Sequence, residues 1–201
     1  MANTIDKKPK GKVVDKWKLK SWYTLLAPEM FESREIGQLV TTEESTLPNR
    51  VIRMGLGDLS GQMSQITTFT TVELRVKEVR GKSALTKIIG HELAPGYVRT
   101  LVRRRHSVVN QVDDVVTKDG VGVRIKMMGL TANRTSEAIR AAIRHEMSTE
   151  VKKLVSEMDF TPLLQEMLFG RFAGKVFSKV KKICPMRRVE VRKSEVAEKF
   201  N

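Results

Sequence analysis

The chain is poor in the residues that carry covalent, metal-bound or membrane chemistry. It has one cysteine, Cys184. That excludes an internal disulfide and any multi-cysteine zinc site, fits a reducing compartment, and makes the thiol readable as a small hydrophobe. The three histidines, His91, His106 and His145, fall in different predicted elements, none at ligand spacing from another or from Cys184, so no metal and no cofactor is expected. No apolar run approaches the ~18 residues that cross a bilayer, and no apolar stretch follows the N-terminal lysines. Neither a transmembrane helix nor a signal peptide is expected, and the chain reads as cytoplasmic. Walker A, G-x-S-x-G, H-E-x-x-H and dinucleotide signatures are missing; Gly55 and Gly57 form a bare G-x-G of the kind that marks a turn or bulge. Internal repeats are missing too.

Positive charge is what the chain has in excess. Its 37 lysines and arginines against 23 acidic residues leave a formal net charge of +14. Self-repulsion of that size opposes folding unless a polyanion neutralises it. An acidic membrane surface, an acidic protein or plain solubility are the alternatives to nucleic acid, and nucleic acid is favoured. The charge lies in three clusters: Lys7, Lys8, Lys10, Lys12, Lys16, Lys18 and Lys20; then Arg103, Arg104 and Arg105; then the stretch from Lys175 to Lys193.

With 201 residues and 40% hydrophobic content the chain has enough for one buried core. Residues 1–14, lysine-rich with Pro9 and Gly11, read as an extended basic arm, and residues 15–201 as one domain. Both tryptophans, Trp17 and Trp22, lie among lysines, where a ring can stack on an unpaired base while an ammonium meets phosphate. Trp22 reads equally as a core residue of a first strand. Residues 20–131 are β-rich: Val72, Leu74 and Val76 alternate with Glu73, Arg75 and Lys77, and Lys118, Asp119 and Gly120 mark a hairpin turn. The stretches around GLGDLSG and QITTF read as part of this strand-like run. Pro95 to Arg105 reads as a short helix with the arginine triplet at its C-terminus.

From residue 135 to 183 the period changes. Ile139, Ile143, Met147, Val151, Leu154, Val155 and Met158 recur at helical spacing, with Thr135 or Ser136 as N-cap and Glu137 in the first turn. Arg140, Arg144 and Lys152 share one face, which either meets RNA or is simply solvated. Pro162 and Gly170 break the helix, a basic amphipathic segment follows, and residues 186–193 read as a closing strand. The fold class expected is α+β, a curved antiparallel sheet or β-barrel core flanked by helices, with a long amphipathic C-terminal helix. Asp113 and Asp114 are the one conceivable catalytic pair. Neighbours on a strand point to opposite faces, so they read as surface carboxylates near a hairpin and the chain as a non-enzyme.

Several segments in order resemble one family. They are VVDKWKLKSWYTLLAPEMF at 13–31, IGQLV at 36–40, GDLSG at 57–61, VKEVRGKSALTKIIG at 76–90, LVRRR at 101–105, TKDGVGVRIKMMGLTANR at 117–134 and ICPMRRVEVRK at 183–193. Together they resemble the eukaryotic-type ribosomal protein S one family, also called S three A e, of archaeal and eukaryotic small subunits. The resemblance implies a structural protein that binds small-subunit ribosomal RNA on the platform, near the messenger exit and the 3′ end of the RNA. Neighbouring ribosomal proteins are implied as partners, with messenger RNA and initiation factors in eukaryotic members, and a homo-oligomer is not. An RNA or DNA chaperone working off the ribosome is the competing reading.

The RNA contacts expected are the lysines of the first cluster with Trp17 and Trp22, the Arg80 and Lys82 loop, Arg103, Arg104 and Arg105, then Arg134, and finally Lys181, Lys182, Arg187, Arg188 and Lys193. Many eukaryotic relatives carry Lys-Lys-Trp where this chain has the arginine triplet, so any stacking there passes to a guanidinium plane. A Lys-Lys pair common in relatives is Ala132 and Asn133 here. The chain also stops soon after the last predicted strand, so contacts made by the long C-terminal tail of eukaryotic members are not expected of it.

Overall fold

The computed structural model describes residues 15, 17–61 and 64–198. The arm expected over residues 1–14 and Lys16 lie outside them, so Lys7, Lys8, Lys10, Lys12 and Lys16 receive no structural account. Eight strands and six helices follow one another in the order β1 (Ser21–Leu26), β2 (Glu35–Thr41), β3 (Val51–Gly55), α1 (Leu56–Ser60), α2 (Gln65–Phe69), β4 (Thr70–Arg80), β5 (Ser83–Leu93), α3 (Pro95–Leu101), β6 (Val108–Val116), β7 (Gly122–Thr131), α4 (Glu137–Glu157), α5 (Phe160–Leu168), α6 (Arg171–Val180) and β8 (Met186–Val196). The α+β class holds. The sheet is open and mixed, without the closure of a barrel.

Strand β5 is where the sheet forks. Along one edge it pairs antiparallel with β4, which carries β3. Its other edge is shared: Ser83–Leu85 run parallel to Thr24–Leu26 of β1, and Gly90–Glu92 run antiparallel to Lys193–Glu195 of β8. One arm of the fork is therefore β1 with β2, the other β8, β7 and β6. The fork forces backbones close together. A Cβ on Gly90 would lie 2.2 Å from the Ser194 carbonyl oxygen, so only glycine fits there. The Ser194 hydroxyl accepts from the His91 backbone N–H at 3.3 Å and meets the His91 Nδ1 at 2.6 Å.

Two cores follow from the two arms. The larger lies between the helices and the β6, β7 and β8 arm, where Val109, Ile125, Met127, Val189 and Val191 meet Ile143, Met147, Val151 and Val155 of α4, with Leu163, Leu168, Phe172 and Val176 from α5 and α6. The smaller, around Leu25, Val76 and Ala84, is covered by Ile36, Leu39, Ile52 and Val79 where β1 to β5 curl together. Met127, Met128 and Met147 are all buried.

Four local expectations change. GLGDLSG and QITTF hold α1 and α2 rather than continuous strand: Leu56 and Leu59 bury at helical spacing, and Ser64 forms a capping box with Thr67, its Oγ accepting from the Thr67 N–H at 3.2 Å. Threonine's strand preference yields there to a cap. The Lys118–Gly120 turn lies within a five-residue connection, Thr117 to Val121, in which Gly120 takes φ +78°. Asp119 works elsewhere, its Oδ2 accepting from the Phe160 N–H at 2.9 Å at the start of α5. The helix after Pro95 stops at Leu101, which leaves the arginine triplet beyond its end, on a turn. The long helix ends at Glu157, before Pro162, which sits inside the first turn of α5 where proline is tolerated.

Candidate nucleic-acid interface

Basic side chains gather at two opposite ends of the sheet. At the first end, residues 17–20 form a turn leading into β1, with Lys20 N–H bonded to the Trp17 carbonyl at 3.2 Å and the Lys20 ammonium 4.3 Å from the centre of the Trp17 ring. Trp17 is 61% exposed and Trp22 57%, so Trp22 is not a core residue. Thr24, two residues on, donates its N–H to the Lys82 carbonyl at 2.8 Å. That bond seats the Trp22 strand beside the β4–β5 turn. Gly81 takes φ +61° in that two-residue turn, and Arg80 and Lys82 project exposed on either side of it, Arg80 paired with Glu78 at 3.2 Å. Lys18 is likewise exposed.

At the other end, the start of β6, the end of β7 and the start of β8 meet. Ser107 and Thr131 exchange backbone and hydroxyl hydrogen bonds, and Ala132 N–H bonds the Pro185 carbonyl at 2.8 Å. These joints bring Arg103, Arg104 and Arg105, Arg134, and Lys181, Lys182 and Arg187 to one surface, all of them exposed. Part of the third charge cluster thus reaches the end of the sheet that carries the second, while its Lys175 and Lys179 pair with Glu166 and Glu150. Strand β8 carries two register breaks against β7, which leave Arg187 and Arg192 as the extra residues. A bulge re-aims the side chain it carries, and both arginines are exposed. Arg192 was not among the residues singled out from the sequence. It lies in the basic stretch from Lys175 to Lys193 and in the predicted closing strand, without being one of the expected RNA contacts.

Two expected contacts are engaged inside the protein. Arg188 is half-buried, bonded to Glu190 at 2.5 Å and placed 5.8 Å over the Tyr97 ring, which stacks on Phe69 at 4.6 Å. Burial pushes the Glu190 carboxyl above its usual range, and the nearby Arg188 opposes that shift. Lys193 pairs with Glu195 at 2.8 Å, a bond that raises its pKa, and lies 3.8 Å from Glu92. Between the two ends, the exposed face of the β6–β7–β8 arm is self-neutralised, with Arg124 bidentate to Asp114 at 2.6 and 2.9 Å and Lys126 on Glu195 at 3.2 Å.

Asp113 and Asp114 do point to opposite faces. Asp114 is exposed, its pKa lowered by the hydrogen bond from Arg124. Asp113 is not the surface carboxylate expected from its neighbourhood: it is buried, and accepts from Ser148 of α4 at 2.6 Å and Gln111 at 3.1 Å. The pair therefore joins helix to sheet on one side and strand to strand on the other. Among the described residues there is no cluster of three metal-ligating side chains, and no helix is long and apolar enough to cross a membrane.

The fold is thus an open α+β sheet with exposed arginines and lysines at two of its ends and exposed tryptophans at one of them. The Ribosomal S3Ae family model matches residues 8–199. The chain belongs to this family. Relatives include the small ribosomal subunit protein eS1 of Saccharolobus islandicus, 36% identical over 186 residues that cover 92% of this chain and 88% of the relative. The protein of the same name from Methanococcus vannielii is 36% identical over 200 residues, 98% of this chain and 90% of the relative, and that of Saccharolobus solfataricus 35% over 186 residues.

Proposed function

We propose that the chain is a structural constituent of the small ribosomal subunit that binds its RNA, on the platform near the messenger exit and the 3′ end of that RNA. One observation carries the reading: a member of a family of small-subunit proteins presents two basic ends on a single sheet, separated by a face whose charges are already paired. The ends bridge two stretches of RNA. Lysines and arginines neutralise phosphates, while Trp17 and Trp22 offer faces on which unpaired bases stack, each stack contributing ~1–3 kcal/mol. The lysines of residues 1–14 add phosphate contacts of their own, ahead of a single domain over residues 15–201. Neighbouring ribosomal proteins, messenger RNA and initiation factors are the further partners, in the cytoplasm and with one copy of the chain per subunit. The carboxylates of Asp113 and Asp114 act in the architecture and not in turnover.

Sedimentation of a cell lysate through a gradient at moderate salt tests this. The chain is expected to run with the small subunit. Recovery of most of it at the top of the gradient would sink the ribosomal reading and favour a chaperone or regulator acting off the ribosome.

A further inference from the structure

Between the segment entering β6 and the loop leaving β7 lies a cleft of 470 Å³ lined by Arg105, His106, Ser107, Val108, Arg134 and Arg140. Its polar lining is unusually rich in donors. Arg105 and Arg134 are exposed and have no ion-pair partner among the described residues. Arg105 holds φ +65°, a left-handed conformation that disfavours any side chain and that concentrates at functional sites. The His106 Nδ1 lies 3.1 Å from the Thr131 carbonyl oxygen, which can only accept, so Nδ1 carries the proton and the ring is fixed with Nε2 left over.

Arg140 stands at the first turn of α4, where Glu137 holds it and also takes Arg144 at 2.9 Å. Arg140 Nε and the neighbouring Thr135 hydroxyl are nevertheless buried without a hydrogen-bond partner among the described residues. Buried polar groups in native proteins almost always have a partner, so two orphans beside one cleft point to a missing group. Ser136, the N-cap of α4, makes no side-chain cap bond. The nearby carboxylate, Glu137, is already committed to two arginines.

We propose that this cleft seats a single phosphate group, held between the guanidinium forks of Arg105 and Arg134. The planar fork matches phosphate oxygens two at a time, which a lysine ammonium cannot do. The inference rests on the RNA-binding reading to the extent that the phosphate belongs to an RNA backbone. Free inorganic phosphate offers the same oxyanion, and the experiment separates the two sources.

The full-length protein is titrated with a small-subunit RNA fragment and, separately, with inorganic phosphate while the arginine side-chain nitrogens are followed by NMR. Arg105→Ala and Arg134→Ala are each expected to weaken RNA binding about tenfold, and the double variant only about twentyfold, because both forks hold one group. Arg105→Lys keeps the charge without the fork and is expected to recover only part of the loss. Arg50→Ala, which removes an exposed charge far from the cleft in the fold, should change affinity by less than about twofold. Inorganic phosphate should shift the Arg105 and Arg134 resonances saturably. If Arg50→Ala weakens RNA binding as much as Arg105→Ala, or the two cleft variants simply multiply, the seat is overturned while RNA binding stands. If phosphate saturates the cleft but the wild-type protein binds no RNA, the seat holds for free phosphate and the RNA reading falls.

Discussion

His91 shows how much a single side chain can be bound to the architecture. It is fully buried against Ser194 at the fork, and desolvation lowers its pKa from 6.5 to about 4. The folded protein thus keeps a neutral imidazole where the unfolded chain takes up a proton. Between pH 6.5 and 4 the unfolded state binds more protons, so stability is fully present above pH 6.5 and falls as pH drops through this window. The span corresponds to about 3 kcal/mol, and the loss levels off below the folded pKa. Urea unfolding followed by circular dichroism across this range should show that slope in the wild type and a shallower one in His91→Gln. Equal slopes would mean that the ring is not held neutral. From the sequence His91 is expected not to ligate a metal, and its burial is hidden. Nothing local marks residue 91 as the place where a strand more than a hundred positions later would close over it.

At the scale of elements, the periodicities that belong to long amphipathic segments were legible and the short ones were not. Helix α4 could be read from Ile143, Met147, Val151 and Val155, all of which are buried. Helices α1 and α2 were missed because a five-residue helix offers too few turns for a period to emerge, and β-branched threonines favour the opposite reading. Strand β8 was found, but its bulges were not: a strand with extra residues at 187 and 192 breaks the alternation by which strands are recognised. The pairing of β5 with β8 makes its own prediction. Gly90→Ala places a methyl group against the Ser194 backbone, and should destabilise the fold by about 3 kcal/mol, read as a lowered urea midpoint. At Gly81, where an added Cβ meets nothing within 4 Å, alanine pays only for its positive φ and should cost less. Comparable losses at the two sites would contradict the close approach at the fork.

For the molecule as a whole, the total charge could be read directly and its distribution could not. Among the described residues, Arg105, Arg134 and Arg187, distant in sequence, reach one end of the sheet because β8 inserts between β5 and β7, and no composition reveals a strand order. The isolated protein should bind RNA with an affinity whose logarithm falls linearly with the logarithm of salt concentration, each neutralised phosphate adding a slope of about −0.7 to −0.9. A flat salt response would contradict phosphate binding at either end. The fork also sets an order of events during synthesis. Residues 186–196 are translated after every other strand, yet they occupy the middle of the sheet. Until they emerge, β7 and the far half of β5 each present a bare edge, the surface on which nascent chains mispair. A chain made as far as β7 therefore carries two unpaired edges, and arrival of β8 covers both at once.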